Sequence, residues 1–355
     1  MVAKKAAKNS KAKSNKRAGF FIRHRKLVLW LTGIVGAVLV LMLAIYIFAQ
    51  ISPWPKALFF RYEMTKMSDQ LADITKKYVP AGITSVDNQQ YRPNDQDGYL
   101  DVFYPEGITT VRPTVIWVHG GAWISGDKNE VDSYLKVLAS RGYTTVGVDY
   151  TVAPERQYPF PLVQLNDALK YIQQNADRLH IDKNSIVLAG DSAGSQIVAQ
   201  MANIITSHSY AKEVGITPAL SADKLKGMLL NCGAYDLALP DYSGPFGDFL
   251  HTVLWAYSGE KDFIDDPKLK HASVVNYVTK AFPPSFITAG NGDPLEPQSK
   301  EMAQKLTSLG VSVEILFYPA THSPSLPHEY QFNLDTADGK QALNRITEFL
   351  STTMQ

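Results

Sequence analysis

The segment IVLAGDSAG, at residues 186–194, decides the fold. Its four leading apolar residues predict a short buried strand, and the residues after Gly194 repeat with helical periodicity. Ser192 lies between Gly190 and Gly194 in a G-x-S-x-G pattern, which in a strand–turn–helix context holds a serine hydroxyl exposed on a sharp turn. A Ser-Gly loop that only caps a helix is the alternative interpretation. The preceding strand favours the first interpretation, so Ser192 is the candidate nucleophile.

Short apolar segments alternate with helical ones along the chain on both sides of this turn. The alternation predicts an α/β fold, with a mostly parallel central sheet covered by helices on both faces. Residues 236–280 interrupt it with Pro, Gly and aromatic residues, which suits a helical cap inserted over the strand ends. The predicted strands are residues 100–104, 114–118, 143–148, 185–189, 226–231, 285–289 and 311–318, and the predicted helices are 162–176, 194–207, 298–309 and 340–350.

A second glycine-bearing turn, HGGAW at residues 119–123, follows one of the predicted strands. A serine nucleophile needs backbone N–H donors aimed at the oxyanion that forms on the attacked carbonyl. Gly120, Gly121 and Ala193 are the candidate donors, because glycines let the backbone approach a substrate closely. His119 precedes the nucleophile and is interpreted as a structural residue of this loop. Trp123 is either a pocket wall or a packing residue.

Four motifs in order give the chain a family resemblance. They are HGGAW, then VDYTVAPE at 148–155 followed by Phe160-Pro161, then GDSAG at 190–194, then DPL at 293–295. Together they resemble the hormone-sensitive-lipase-like branch of the α/β-hydrolases over about residues 95–352. The resemblance implies an α/β-hydrolase fold, a carboxylic ester hydrolase with a Ser-Asp-His triad, and no cofactor. Two departures stand out: Ala122 replaces the third glycine of an HGGG loop, and the usual His-Gly-Phe is absent.

The candidate acid is Asp293, which matches the Asp-Pro-Leu of that family and follows a predicted strand. The chain order Ser…Asp…His fits an α/β-hydrolase triad. In this role the carboxylate orients the imidazole and stabilises the imidazolium without taking the proton. The alternative is an aspartate that merely starts a turn before the helix near Pro297.

Two histidines after the last predicted strand compete for the role of base. His322 lies closer to the strand end, and the family's spacing from the acid slightly favours it. His328 keeps an aromatic residue two places on, at Tyr330, and its distance to the final apolar helix fits better. We favour His328, with His322 as the rival.

The remaining histidines and the single cysteine give no metal motif. The histidines are scattered without metal-ligand spacing, at His24, His180, His208, His251 and His271. Cys232 follows an apolar strand and is interpreted as buried core. We therefore expect no metal, and the family resemblance implies no cofactor.

The cap residues Phe246, Phe249 and Trp255, with Trp123, predict an apolar substrate pocket that favours uncharged, short- to medium-chain acyl groups. The predicted substrate is a small-molecule or lipid ester, hydrolysed through an acyl-enzyme. An envelope acyltransferase or deacetylase acting on lipid or glycan with the same triad is one alternative, because fold and triad do not fix the substrate. A non-catalytic, hydrolase-like surface binding domain is another.

The N-terminal part of the chain has a different composition from the rest. Residues 27–49 form 23 consecutive residues without a charge, which as a helix reach about 34 Å and can span a bilayer. A cleaved signal peptide and a buried core helix are the alternatives. The predicted order is a basic tail at 1–26, a transmembrane helix at 27–49, a linker and helical cap segment at 50–94, and a catalytic domain at 95–355.

The net charge of +1 is the sum of a basic N-terminal tail and an acidic remainder. Residues 1–26 carry ten basic side chains and no acid, which leaves 25 basic and 34 acidic residues and a net charge of −9 on the rest. Basic residues stay on the cytoplasmic side, so a single-pass membrane protein with its catalytic domain outside the cytoplasm is predicted. The acidic remainder makes nucleic acid an unfavourable partner. Gly33 and Ala37 have small-xxx-small spacing, through which a homodimer is conceivable.

Overall fold

A computed structural model describes residues 2–240, 242–244 and 246–354, with the backbone alone for residues 2–22. The chain divides after Pro55 into two compact units.

The N-terminal unit is dominated by one long helix, α1 (Val2–Ile51). Within it, Arg23–Ile51 is long and apolar enough to cross a membrane or to serve as a signal sequence, and none of this stretch is buried inside the protein. The predicted span at 27–49 lies within it. Most of the basic tail predicted at 1–26 falls on side chains outside the described residues, so the orientation stays a prediction.

The second unit is built on an eight-stranded sheet with the strand order β1-β2-β4-β3-β5-β6-β7-β8. The β1–β2 and β2–β4 pairs are antiparallel and the other pairs are parallel. The sheet therefore has the mostly parallel character that the alternating sequence predicts. The strands are β1 (Ile83–Gln90), β2 (Tyr99–Pro105), β3 (Arg112–Val118), β4 (Thr144–Val148), β5 (Ile181–Asp191), β6 (Leu225–Asn231), β7 (Ser285–Thr288) and β8 (Val313–Leu316).

Helices cover the sheet on both sides. After α1, the helices of the described chain are α2 (Trp54–Lys76), α3 (Asn129–Ala139), α4 (Phe160–Asn175), α5 (Ser192–Thr206), α6 (His208–Val214), α7 (Gly247–Ser258), α8 (Glu296–Ser308) and α9 (Ala337–Thr353).

Two apolar clusters, one on each face of the sheet, form the core. Successive side chains of a strand point to opposite faces, and β3 shows this directly. Ile116 and Val118 belong to the cluster that includes apolar residues of α4, α5 and α8. Val115 and Trp117 belong to the cluster that includes α3 and α9. The layered α/β architecture predicted from the sequence is confirmed.

The segment between the first helix and the predicted catalytic domain differs from the sequence expectation in one respect. The sequence predicts a linker and helical cap segment at residues 50–94, whereas α2 ends at Lys76 and residues 83–90 form the edge strand β1. Pro80 and Gly82 end the helical stretch, because neither residue suits a helix interior. The mostly polar β1 pairs with β2 on one side only, which explains its weak strand signal.

Between β6 and β7, over the carboxyl ends of the parallel strands, the chain forms α7 and three 3-10 turns at Phe263–Asp265, Leu269–Ala272 and Val274–Asn276. This is the region in which the sequence predicts a cap.

Candidate active site

Ser192 is held on a tight turn between β5 and α5. Its backbone φ is +51°, in the left-handed region that side chains with a Cβ atom disfavour. The flanking glycines make the turn sterically feasible. A Cβ atom on Gly194 would lie 2.1 Å from the carbonyl oxygen of Val118, and one on Gly190 would lie 2.6 Å from the carbonyl carbon of Gly194. The G-x-S-x-G pattern therefore has a direct steric reason in this fold.

Three of the predicted site residues come together at this turn from three different loops. The Nε2 atom of His328 lies 3.0 Å from Ser192 Oγ, and its Nδ1 atom lies 2.9 Å from Asp293 Oδ2. The other oxygen of Asp293 accepts a hydrogen bond from the backbone N–H of Leu295, at 2.8 Å, which fixes the carboxylate. The chain thus forms a continuous Ser–His–Asp hydrogen-bonded series.

The rival histidine lies outside this series. His322 Nε2 is 3.3 Å from Asp338 Oδ1, and its ring packs against Tyr318 with 4.6 Å between ring centroids. Its backbone carbonyl accepts a hydrogen bond from Asn291. The structure therefore brings His328, and not His322, to Ser192.

The charge state of His328 is set by its neighbours. Burial disfavours the imidazolium, while a Cys232 thiolate and the Asp293 carboxylate favour it, and the net effect raises the pKa of His328 above its ordinary value. Burial also raises the pKa of the Cys232 thiol to about 11, so this thiol is neutral at pH 7. The Asp293 carboxylate is therefore the partner that makes His328 a stronger base.

The HGGAW loop lies next to Ser192 in a compact turn. Gly121 has φ +104°, and a Cβ atom there would lie 2.1 Å from the carbonyl oxygen of Ser125. Ala122 and Trp123 also have positive φ, at +49° and +60°. Ala193 is the second residue of α5, where a backbone N–H has no acceptor within its own helix. The three predicted oxyanion donors, Gly120, Gly121 and Ala193, thus lie on two segments that adjoin Ser192.

His119 belongs to the support of this loop. It is fully buried, and burial lowers its pKa to about 4, so the imidazole is neutral at pH 7. Its Nδ1 atom donates to the carbonyl of Gly120 at 2.8 Å, and its ring stacks on Tyr150 at 4.4 Å. The hydroxyl of Tyr150 donates to the carbonyls of His119 and Gly120, each at 3.3 Å. These contacts agree with the structural role predicted for His119.

Sequence reasoning missed Arg61, which connects helix α2 to the segment that directly follows HGGAW. Its guanidinium donates to the carbonyls of Ile124, at 2.6 Å, and Ala153, at 2.8 Å. It also pairs with both oxygens of Glu155, at 2.7 and 2.6 Å. No sequence pattern marks Arg61, because an arginine on an amphipathic helix usually faces solvent.

An apolar cavity of about 300 Å³ opens beside the Ser192 hydroxyl. Three of the four predicted substrate-binding residues line it, namely Trp123, Phe246 and Phe249. Trp123 also packs, since its indole stacks on Tyr257 at 4.9 Å. Trp255 is not among the lining residues, and its ring lies 6.2 Å from that of His251. The cavity is lined by Met64, Met67, Ala122, Trp123, Ser192, Ala193, Ala234, Leu237, Pro240, Phe246, Phe249, Leu250, Val253, Leu254, Pro294, Leu295, Gln298 and His328.

One group of side chains among the described residues has the composition of a metal site. Ligand atoms of Cys232, Asp293 and His328 lie within 4.8 Å of one another. Asp293 and His328 already bond to each other through these atoms. A metal would also require the thiolate form of Cys232, which burial disfavours. The donor chemistry fits a hydrogen-bonded acid–base pair better than a metal centre.

Comparison with known proteins identifies the family of the chain. The BD-FAE family profile matches residues 100–306. Carboxylesterase NlhH of Mycobacterium tuberculosis is 30% identical over 246 residues, which cover 66% of this chain and 72% of that protein. The putative alpha/beta hydrolase R526 of Acanthamoeba polyphaga mimivirus is 26% identical over 243 residues, which cover 66% of this chain and 67% of that protein.

Solved esterase structures share the fold. Inhibited esterase B from Lactobacillus rhamnosis superposes with a TM-score of 0.72 at 21% identity, over 83% of this chain and 96% of that one. An esterase from Pyrobaculum calidifontis superposes with a TM-score of 0.66 at 23% identity, over 84% of this chain and 94% of that one. The chain therefore belongs to the BD-FAE family, among the α/β-hydrolases that resemble hormone-sensitive lipase, and is a serine hydrolase of the carboxylesterase type.

Proposed function

We propose that the protein hydrolyses uncharged carboxylic esters with short- to medium-chain acyl groups, using Ser192, His328 and Asp293 as its triad. The observation that carries the proposal is the position of the His328 ring, which joins Asp293 to the Ser192 hydroxyl at 2.9 and 3.0 Å at the wall of an apolar cavity.

The chemistry follows from this arrangement. Ser192 Oγ attacks the ester carbonyl carbon while Nε2 of His328 takes the hydroxyl proton, and Asp293 stabilises the resulting imidazolium. The carbonyl oxygen becomes an oxyanion that accepts hydrogen bonds from the backbone N–H groups of Gly120, Gly121 and Ala193. His328 then gives the proton to the leaving alcohol as the ester C–O bond breaks. Water repeats these steps on the acyl-enzyme and releases the carboxylic acid.

The cavity supports the substrate class. Its lining is almost entirely apolar, so a charged acyl group loses its hydration without a partner. At about 300 Å³ the cavity is at the lower end of the roughly 300–1,000 Å³ range of ligand pockets. We therefore expect acyl chains of short to medium length.

The test is hydrolysis of nitrophenyl esters of increasing chain length by the full-length protein in detergent. Ser192→Ala and His328→Ala abolish turnover, whereas His322→Ala is the matched control and keeps it. Turnover that survives Ser192→Ala would refute the proposal, and near-normal activity of His328→Ala would transfer the role of base to another residue.

We further propose that α1 anchors the enzyme with the N-terminus in the cytoplasm and the second unit outside. The uncharged stretch and the basic residues before it support this topology. Since Cys232 is buried, single cysteines can report sidedness. A membrane-impermeant maleimide labels Ser351→Cys in intact cells and leaves Ser10→Cys unlabelled. The reverse pattern contradicts the proposed orientation, and a mature protein that lacks α1 contradicts the anchor.

A further inference from the structure

Glu329 occupies an unfavourable backbone position beside the proposed base. It follows His328 directly and has a φ of +59°, in the left-handed region that a residue with a Cβ atom disfavours. Glycine, which the family resemblance puts at this place, adopts this conformation without strain. Strained residues persist where their surroundings hold them, and they cluster at functional sites. The surroundings of the Glu329 side chain therefore need an explanation.

The Glu329 carboxylate faces the reactive nitrogen of His328. Its Oε1 atom lies 3.7 Å from His328 Nε2, the nitrogen that lies 3.0 Å from Ser192 Oγ. The Glu329 side chain is 19% exposed, so water screens this contact only in part. Asp293 meets the other nitrogen, Nδ1. The imidazole thus lies between two carboxyl groups, one at each ring nitrogen.

A second carboxyl group holds Glu329 in place. Asp191, which is 3% exposed, hydrogen-bonds to Glu329, and its Oδ1 atom accepts a bond from Trp117 Nε1 at 2.6 Å. Burial, followed by the charge of Glu329, raises the pKa of Asp191 well above its ordinary value. The raised pKa favours the protonated form of Asp191, which can donate a hydrogen bond to Glu329. Both carboxyls press against Gly120, where a Cβ atom would lie 2.2 Å from Asp191 Oδ2 and 2.9 Å from Glu329 Oε1.

Asp127, and Asp69 of α2, also face Glu130, whereas three other titratable groups around the pair are neutral at pH 7. Glu130 of α3 faces Glu329, and burial raises its pKa to about 8. Burial keeps His119 in its neutral form and Cys232 as a thiol. Glu329 is the carboxyl group that lies 3.7 Å from Nε2 of His328 on this side of the ring.

We propose that Glu329 is a positioning residue for catalysis: its carboxylate, fixed by the proton of Asp191, faces Nε2 of His328 and stabilises the imidazolium that forms when Ser192 attacks. The inference rests on the proposed triad and adds a second anion to it. A negative charge near Nε2 favours the protonated ring, so it moves the acid limb of kcat/KM to higher pH. The value of kcat/KM at its pH plateau is a poor measure of this effect. A negative charge on Glu329 stabilises the imidazolium but also repels the oxyanion that binds at Gly120, so the two effects oppose each other.

The experiment measures kcat/KM against pH with a short-chain nitrophenyl ester for the full-length protein. Glu329→Gln lowers the midpoint of the acid limb by about one pH unit, which is the size expected from one close charge. Asp191→Asn keeps the wild-type midpoint, since its amide donates to Glu329 as the carboxylic acid does. Glu314→Gln, which removes a carboxylate on the distant strand β8, is the matched control and also keeps it.

Two further variants test the effect of the charge regardless of which carboxyl group carries the proton. The double variant Asp191→Asn/Glu329→Gln removes the charge wherever the proton resides, and it also lowers the midpoint. Glu329→Gly relieves the left-handed strain and removes the charge, so it folds at least as stably and shows the same shift. Wild-type midpoints in the double variant and in Glu329→Gly overturn the proposal. A shift in Asp191→Asn as large as that in Glu329→Gln overturns the assignment of the charge to Glu329.

Labelling of Ser192 by a fluorophosphonate separates the two levels of inference. If Ser192 is labelled and essential but all midpoints coincide, Glu329 has no electrostatic role and the proposed triad stands. If Ser192→Ala retains activity, the proposed function itself fails.

Discussion

Arg61→Ala tests whether the cap helix α2 stabilises the catalytic loop from outside. The substitution takes the donor away from the carbonyls of Ile124 and Ala153 and from the carboxylate of Glu155. Hydrogen bonds that involve a charged group contribute about 1.5–3 kcal/mol each. The Arg61 and Glu155 side chains are 24% and 34% exposed, so solvent screens their ion pair and limits it to about 1 kcal/mol or less.

The two carbonyl contacts therefore dominate the effect. Allowing for water that hydrates the freed carbonyls, we expect Arg61→Ala to lower the free energy of unfolding by about 2–4 kcal/mol. This corresponds to a fall in Tm of roughly 4–10 °C for a domain of this size. Because the loop carries Gly120 and Gly121, kcat falls on the order of tenfold while KM changes little.

Thermal unfolding of the full-length protein in detergent, with ester hydrolysis in parallel, measures both effects. Arg61→Lys keeps the positive charge opposite Glu155 but loses the planar guanidinium group with its several N–H donors. We therefore expect its Tm to lie between that of the wild type and that of Arg61→Ala. Lys56→Ala, on the same helix, removes an ion pair to Asp248 in which the side chains are 38% and 68% exposed, and it leaves Tm nearly unchanged. The reasoning is wrong if Arg61→Ala unfolds at the same temperature as Lys56→Ala.

Three further substitutions test the site and the core. Asp293→Asn leaves the side-chain shape intact but cannot stabilise the imidazolium of His328, so kcat falls on the order of 10⁴-fold at unchanged Tm; a loss below tenfold contradicts the role of Asp293. Leu250→Trp fills part of the 300 Å³ cavity and moves the preferred nitrophenyl ester to a shorter acyl chain, so an unchanged chain-length profile argues that the acyl group binds elsewhere. Lys128→Met removes the charged partner of the Asp101 carboxylate, which is 2% exposed and bonded to Lys128 Nζ at 2.8 Å, and leaves it with the backbone N–H of Asn88 as donor. We expect a loss of about 3–5 kcal/mol in thermal unfolding, with recovery on adding Asp101→Asn, and a double variant no more stable than Lys128→Met speaks against this account.

The parts of the site that the sequence predicts are those encoded by contiguous residues. The turn at Ser192 depends on two glycines within five positions, and HGGAW on a similarly short segment, so both are visible as motifs. Asp293 and His328 come from separate loops. The family resemblance and the order of the motifs predict their places.

Other parts depend on contacts between residues far apart in the sequence. The acceptors of Arg61 lie 63 to 94 residues away, and about half of the catalytic chain separates Glu329 from Asp191. Trp255 illustrates the same limit within one helix. Helix α7 turns Leu250, Val253 and Leu254 toward the cavity, whereas the neighbouring Trp255 is not part of its lining. Hydrophobicity alone does not distinguish these positions.

The hydrogen bonds that Arg61 makes to Ile124, Ala153 and Glu155 limit where the chain can be truncated. The predicted catalytic domain starts at residue 95, but the compact unit starts at Lys56. A fragment cut at residue 95 loses Arg61 and the edge strand β1, so it leaves one side of β2 unpaired, and open strand edges promote aggregation. A fragment that begins just after Pro55 keeps both. The helix α1 can therefore be exchanged for another N-terminal segment, whereas α2 and β1 have to remain part of the folded unit.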